Sequence, residues 1–238
     1  MRKLSVLVIL TVMVVSVASA ELLTTANPIG KGGWAVLGAG IQDSNISPSD
    51  TSLKLTTIGG YVGYGITDKL DGYLQLGSSS VSGTGLSVGI PGIPDVAITG
   101  TGWGLNLKYT VAEEGTSLPV SVAVGAGYKS MSTTTKTPAI PVYHPVATED
   151  TANGTQLMLG VGVSKIIIPF IPYGALAYKK NQSSGSDVST QLDITLGSAI
   201  AWSTQGAVFV EYTNQAITPT GGGNFTSGQI AVGVGYKI

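Results

Sequence analysis

Residues 103–111 read Trp-Gly-Leu-Asn-Leu-Lys-Tyr-Thr-Val, and this stretch decides the fold. Trp103, Leu105, Leu107, Tyr109 and Val111 share one phase of a two-residue period, with Gly104, Asn106, Lys108 and Thr110 on the other. Successive side chains of a strand point to opposite faces. The segment is therefore a strand with one bulky apolar face and one small or polar face. An antiparallel sandwich would also alternate, but its outward face should carry charge. Small and polar residues opposite Leu, Tyr and Trp suit a narrow interior, with the bulky set turned outward to lipid.

The pattern recurs. Leu118, Val120, Val122, Val124, Ala126 and Tyr128 stand against Ser121, Ala123, Gly125, Gly127 and Lys129. Val188, Thr190, Leu192, Ile194, Leu196, Ser198, Ile200 and Trp202 stand against Gln191, Asp193, Thr195, Gly197 and Ala199. Weaker copies occupy 33–42, 53–66, 70–79, 153–164, 170–180, 207–213 and 227–238, which makes ten strands in all. In 170–180 the faces stay open, since Phe170, Leu176 and Tyr178 compete with Ile171, Tyr173 and Ala175.

The connections alternate in length, as they do when short turns lie at one end of a membrane barrel and long loops at the other. The tight Thr67-Asp68-Lys69, 112–117, 165–169 and 203–206 interleave with 43–51, 80–98, 130–152, 181–187 and 214–226.

The chain opens with Arg2 and Lys3, an apolar run from Leu4 to Val17, and Ala18-Ser19-Ala20. This is the order of a secretory signal peptide with a small-residue cleavage site. Residues 1–20 are read as the leader and 21–238 as one barrel domain with no linker. Two of the twelve cations go with the leader, leaving ten lysines, no arginine and 13 acidic residues. Without arginine, and with no basic cluster beyond Lys179-Lys180, the chain lacks the footprint of a nucleic-acid binder. There is no cysteine, hence no disulfide framework and no thiolate metal site. Charged residues make up only 11% of the chain and mean hydropathy is +0.33, yet no segment of the mature chain reads as a spanning helix. An exported apolar chain without such helices leaves the closed barrel, because only helices and closed sheets satisfy every backbone group in lipid. The expected fold is all-β: a closed, antiparallel, up-and-down transmembrane β-barrel of about ten strands.

Three further features carry a resemblance. Residues 63–77, GYGITDKLDGYLQLG, place a Thr-Asp turn between two alternating strands. Residues 208–213 read VFVEYT. The chain ends with Val232, Val234, Tyr236 and Ile238 alternating to the last residue. Together they resemble the small bacterial outer-membrane barrels of the OmpA membrane-domain and opacity-protein kind. The resemblance implies export to the outer membrane, contact with its lipid, and handling by periplasmic chaperones and the barrel-insertion machinery. It also implies that Val232, Val234, Tyr236 and Ile238 form the assembly signal. Two departures stand out: Ile238 occupies a position where the family usually ends in Phe, and ten strands exceed the eight of its commonest members. No family site is carried over.

Enzymes on such barrels need His, Ser and carboxylates grouped together. His144 is the only histidine. Val142 stands where the omptin-like Asp-x-His pattern needs Asp, and Val146 where the barrel deacylases' His-x-Ser needs Ser. One histidine, no cysteine and scattered carboxylates give no metal-ligand spacing, so no enzyme, metal or cofactor is expected. Two function classes remain. One is a structural or surface-interaction protein working through its outer loops, with Leu86, Val88, Ile90 and Ile93 as candidate apolar contacts. The other is a narrow passive channel for small or apolar solutes, with Asp71, Gln75, Lys108, Asp193, Glu211 and Gln229 as the polar residues of its lumen.

Overall fold

A computed structural model describes residues 25–46, 53–83, 96–115, 118–139, 146–184, 189–219 and 224–238. Ten strands run through them: β1 Trp34–Ile46, β2 Leu53–Gly65, β3 Leu70–Gly83, β4 Ala97–Ala112, β5 Ser121–Thr137, β6 Thr148–Ser164, β7 Phe170–Ser183, β8 Ser189–Ala201, β9 Gly206–Pro219 and β10 Phe225–Lys237. Each strand pairs with its neighbours in sequence and β1 pairs with β10, so the sheet closes into a barrel. Every pairing is antiparallel.

Alternation becomes orientation. On β4, Trp103, Leu105, Leu107 and Tyr109 are exposed on the outer wall, while Asn106, Lys108 and Thr110 are buried inside. The undecided strand β7 resolves with Phe170, Leu176 and Tyr178 outward and Tyr173 and Ala175 inward. The same phase carries Lys179 and Asn181 into the lumen, where they find partners that lipid would not supply.

Outer-wall aromatics mark two levels. Trp34 and Tyr64 meet with ring centroids 4.8 Å apart near the short-turn end, and Trp103 and Tyr128 meet at 5.7 Å further along. Beyond Tyr128 the outward residues of β5 become Ser130, Ser132, Thr134 and Lys136. On β6 they become Thr155, Asn153, Thr151 and Glu149 beyond Leu157.

All five long loops are shorter than the sequence reading gave, three of them markedly. β3 runs to Gly83 and β4 starts at Ala97; β5 runs to Thr137 and β6 starts at Thr148; β9 runs to Pro219 and β10 starts at Phe225. On β5 the added residues Ser132 to Thr137 are polar on both faces, so no apolar contrast betrays their two-residue period.

Candidate functional site

Among the described residues, the lumen gathers the buried polar side chains. Asp71, Gln75, Lys108, Asp193, Glu211 and Gln229 are all at most 5% exposed and all face inward. They belong to two separate groups, one near the short turns and one deeper along the strands.

The first group surrounds a segment that no alternation announced. Residues 25–33 precede β1 and enter the short-turn mouth of the barrel, where Ala26 is completely buried. The Asp71 carboxylate accepts the backbone N–H of Ile29 at 3.1 Å on each oxygen, and the Tyr73 hydroxyl at 3.3 Å. Lys108 lies directly across the β3–β4 ladder from Asp71, 3.3 Å away. Its ammonium also donates to the carbonyls of Thr25 at 3.1 Å and Asn27 at 2.7 Å. Thr110 Oγ1 donates to the Ala26 carbonyl, the Ala26 N–H donates to Ser164 Oγ, and Ser121 Oγ donates to Asn27 Oδ1. The segment is thus a strap whose backbone is satisfied by barrel side chains, as burial demands. Gly30 and Gly32, with φ of 89° and 77°, turn it back into β1 in a conformation that residues with a Cβ adopt only at a cost. The sequence signal was present but aperiodic: Asn27-Pro28 followed by three glycines at 30, 32 and 33.

Inward of the strap lies an apolar layer. Tyr173, Phe209, Ala39 and Ala199 pack together, joined by Leu37, Ile171 and Ala207, and Met158, Ala175 and Ala177 pack with Tyr73. The large rings lie over glycines. A Cβ at Gly197 would strike the Tyr173 ring and one at Gly233 the Phe209 ring. The Tyr173 hydroxyl, which touches this layer and the polar tier beyond, donates to Glu211 Oε2 at 3.0 Å.

The second polar group follows. Lys179 and Asp193 form an ion pair with side chains at most 2% exposed. Gln191 Nε2 donates to the free oxygen of Asp193 at 2.6 Å, and Gln156 Nε2 to Asn181 Oδ1 at 2.7 Å. Thr195 and Thr213 hydroxyls meet at 2.9 Å, and Gln215 Nε2 donates to Gln229 Oε1 at 3.1 Å. At the long-loop ends the inward positions turn apolar again, with Leu55, Val81, Ile98 and Ile217 all buried.

Open space follows this layering. A cavity of about 420 Å³ fills the short-turn mouth, walled by Asn27, Ile29, Tyr61, Tyr73, Phe209 and the Ser203–Gln205 turn. Two further voids of about 10 Å³ flank Lys129, each about the size of one water molecule. Gln75 and Asn106 line one, Thr57 and Ser79 the other, and these four residues carry buried polar atoms without a protein partner.

The remaining sequence candidates fall elsewhere. Val232, Val234 and Tyr236 face outward on β10, and Ile238 follows it, 69% exposed. Leu86, Val88, Ile90, Ile93, His144 and the leader lie outside the described residues. Among the described residues, no three His, Cys, Asp or Glu side chains converge as metal ligands.

The buried pair carries a stability prediction. Lys179→Met leaves Asp193 charged and buried, and costs about 3 to 5 kcal/mol. Adding Asp193→Leu removes the orphaned charge and recovers most of that loss. Urea unfolding of the refolded variants in lipid vesicles measures both; equal loss in the single and double variants would refute the pairing.

The sequence matches the outer membrane protein beta-barrel domain family over residues 7–167. Comparison with curated proteins gives no match. Among solved structures, the translocator domain of the autotransporter NalP from Neisseria meningitidis is similar at 12% identity and a TM-score of 0.51, covering 87% of this chain and 89% of that one. The beta domain of the Bordetella autotransporter BrkA has 12% identity and a TM-score of 0.49, covering 87% and 100%. The outer membrane protease OmpT of Escherichia coli has 11% identity and a TM-score of 0.46, covering 87% and 96%. At these identities the likeness concerns the barrel alone. The family match spans more than half of the chain, and with the closed ten-stranded sheet it makes this protein a member of the outer-membrane β-barrel family.

Proposed function

We propose that this barrel is a closed membrane scaffold with a structural or surface-interaction role, not a conduit and not an enzyme. The observation that supports this reading is the filled lumen. The cavity of about 420 Å³ at the short-turn mouth is walled by Tyr61, Tyr73 and Phe209, and the two voids beside Lys129, deeper in the lumen, are each the size of a single water. Small barrels of eight or so strands are filled by side chains, whereas water-filled channels belong to much larger ones. Short turns lie on the periplasmic side of such barrels and long loops outside, so the strap narrows the periplasmic mouth. The environment then meets the outer ends of β5 and β6, where Thr134, Lys136, Glu149 and Thr151 stand on the wall. Leu86, Val88, Ile90 and Ile93 add apolar contacts from the β3–β4 loop, which suits a ligand with apolar surface.

A second reading, a narrow passive channel, draws support from the polar tier and the water-sized voids around Lys129. Planar-bilayer recording of the refolded mature chain separates the two. A closed scaffold gives no steady conductance above the lipid baseline, and a steady ohmic current in the unmodified protein would replace this reading with the channel.

The leader, the final strand and the cellular partners form one assembly proposal: export by residues 1–20, escort by periplasmic chaperones, and recognition of Val232, Val234, Tyr236 and Ile238 by the insertion machinery. Tyr236 sits on the outer wall with its hydroxyl donating to Gln205 Oε1 at 2.8 Å. Tyr236→Asp should still refold in detergent yet fail to reach the outer membrane in cells, while Ile238→Phe assembles at least as well as the parent. Fractionation of cells beside in vitro refolding checks this, and normal delivery of Tyr236→Asp would overturn it.

A further inference from the structure

Short turns close the periplasmic end; Thr67-Asp68-Lys69 and Ser203-Thr204-Gln205 have polar tips, and the β4–β5 turn pairs Glu113-Glu114-Gly115 with a single exposed leucine, Leu118. The β6–β7 turn differs. After Lys165 come Ile166, Ile167, Ile168, Pro169 and Phe170, with the isoleucines 45%, 53% and 88% exposed and Phe170 50%. The turn is held in shape. Ile167 and Phe170 exchange backbone hydrogen bonds at 2.7 and 2.6 Å, and the Ile166 N–H donates to Glu114 Oε2 at 2.7 Å.

The outer wall of β6 explains why such a turn is useful. A strand tilted by about 40° advances about 2.5 Å along the barrel axis per residue, against an apolar band about 25 Å tall. On β8 the outward apolar run from Leu192 to Trp202 meets that requirement with a span of about ten residues. On β6 the run Leu157, Leu159, Val161 and Val163 spans only about 15 Å before Thr155 ends it on one side. Continuing in the same phase past Lys165 to Ile167 lengthens it to about 25 Å.

We propose that the β6–β7 turn is a lipid-immersed keel, in which Ile167, Ile168 and Phe170 complete the apolar band within the periplasm-facing phospholipid leaflet, while Ile166 lines the mouth cavity. Ile167 shares the outward phase of Leu157 to Val163 and pairs with outward Phe170 on β7, and this continuity with the lipid-facing wall selects lipid over a protein partner as the occupant. Lys165, the charged residue in this stretch, has a stem long enough to bring its ammonium to the phosphate plane. The β6–β7 seam lies half a turn around the barrel from the β1–β2 seam, whose periplasmic end carries exposed Lys31. The barrel therefore sits deeper in this leaflet on the keel side and is tilted in the bilayer.

The chain has no cysteine, so Ile168→Cys and Asp68→Cys each accept a single nitroxide label. The refolded full mature chain is placed in phosphatidylethanolamine and phosphatidylglycerol vesicles, and label collisions with oxygen and with a water-soluble nickel chelate are measured. The keel predicts an oxygen-to-nickel ratio severalfold higher at position 168 than at position 68. Equal ratios would overturn it, as would a label at 168 shielded from nickel only after a periplasmic extract is added, which would assign the patch to a protein partner. If Ile168→Cys fails to fold, Ile167→Cys provides the same reading.

Discussion

Every backbone N–H and C=O that crosses a bilayer has to find its partner within the protein, and the rest of this structure depends on that constraint. A sheet meets it only by having no edge. The decisive pairing joins the ends of the chain, with β1 and β10 in register from Ala35 opposite Lys237 to Asp43 opposite Gln229. Once the ring closes on ten strands, its diameter is set, and the inward positions must share a narrow lumen. That explains the division of sizes across the wall, with Leu, Val and aromatics outside and mostly Gly, Ala, Ser, Thr and a few longer chains inside, the rings Tyr61, Tyr173 and Phe209 among them.

The inward charges obey the same limit. Asp71 and Lys108 are direct cross-strand partners, and Lys179 lies diagonally from Asp193, one inward position along from its register partner Gln191. Buried ion pairs are weak evidence for stability in themselves. Here they act on register, because a slip of one residue would move Lys179 or Lys108 onto the lipid face. The strap borrows the first pair. Its carbonyls complete the coordination of Lys108 and its Ile29 N–H that of Asp71, so the charge pair and the strap support each other.

The fold was legible in the sequence wherever the two faces differed in bulk. Trp103 to Val111 and Leu192 to Trp202 gave their orientation outright, and all ten strands stand where alternation placed them. Legibility failed where contrast failed. In β7, Ile171 and Tyr173 are as apolar as Phe170 and Leu176, because the lumen at that level is itself lined by rings. In the outer halves of β5 and β6, threonines and serines on both faces hid the period. The strap was invisible for another reason: its structure comes from Asp71, Lys108, Thr110, Ser121 and Ser164, residues distant in sequence, and not from any local pattern. The inward phase of the polar lumen residues could be read from each strand. Their division into two tiers separated by Tyr173 and Phe209 depends on ring closure and could not be.

Amide hydrogen–deuterium exchange of the refolded barrel in lipid vesicles tests the closed sheet most directly. Closure predicts that the amides of 35–42 in β1 and 230–236 in β10 are protected as strongly as those at the centres of β5 and β6. Rapid exchange confined to β1 and β10 would reveal an open edge at the seam and contradict the account.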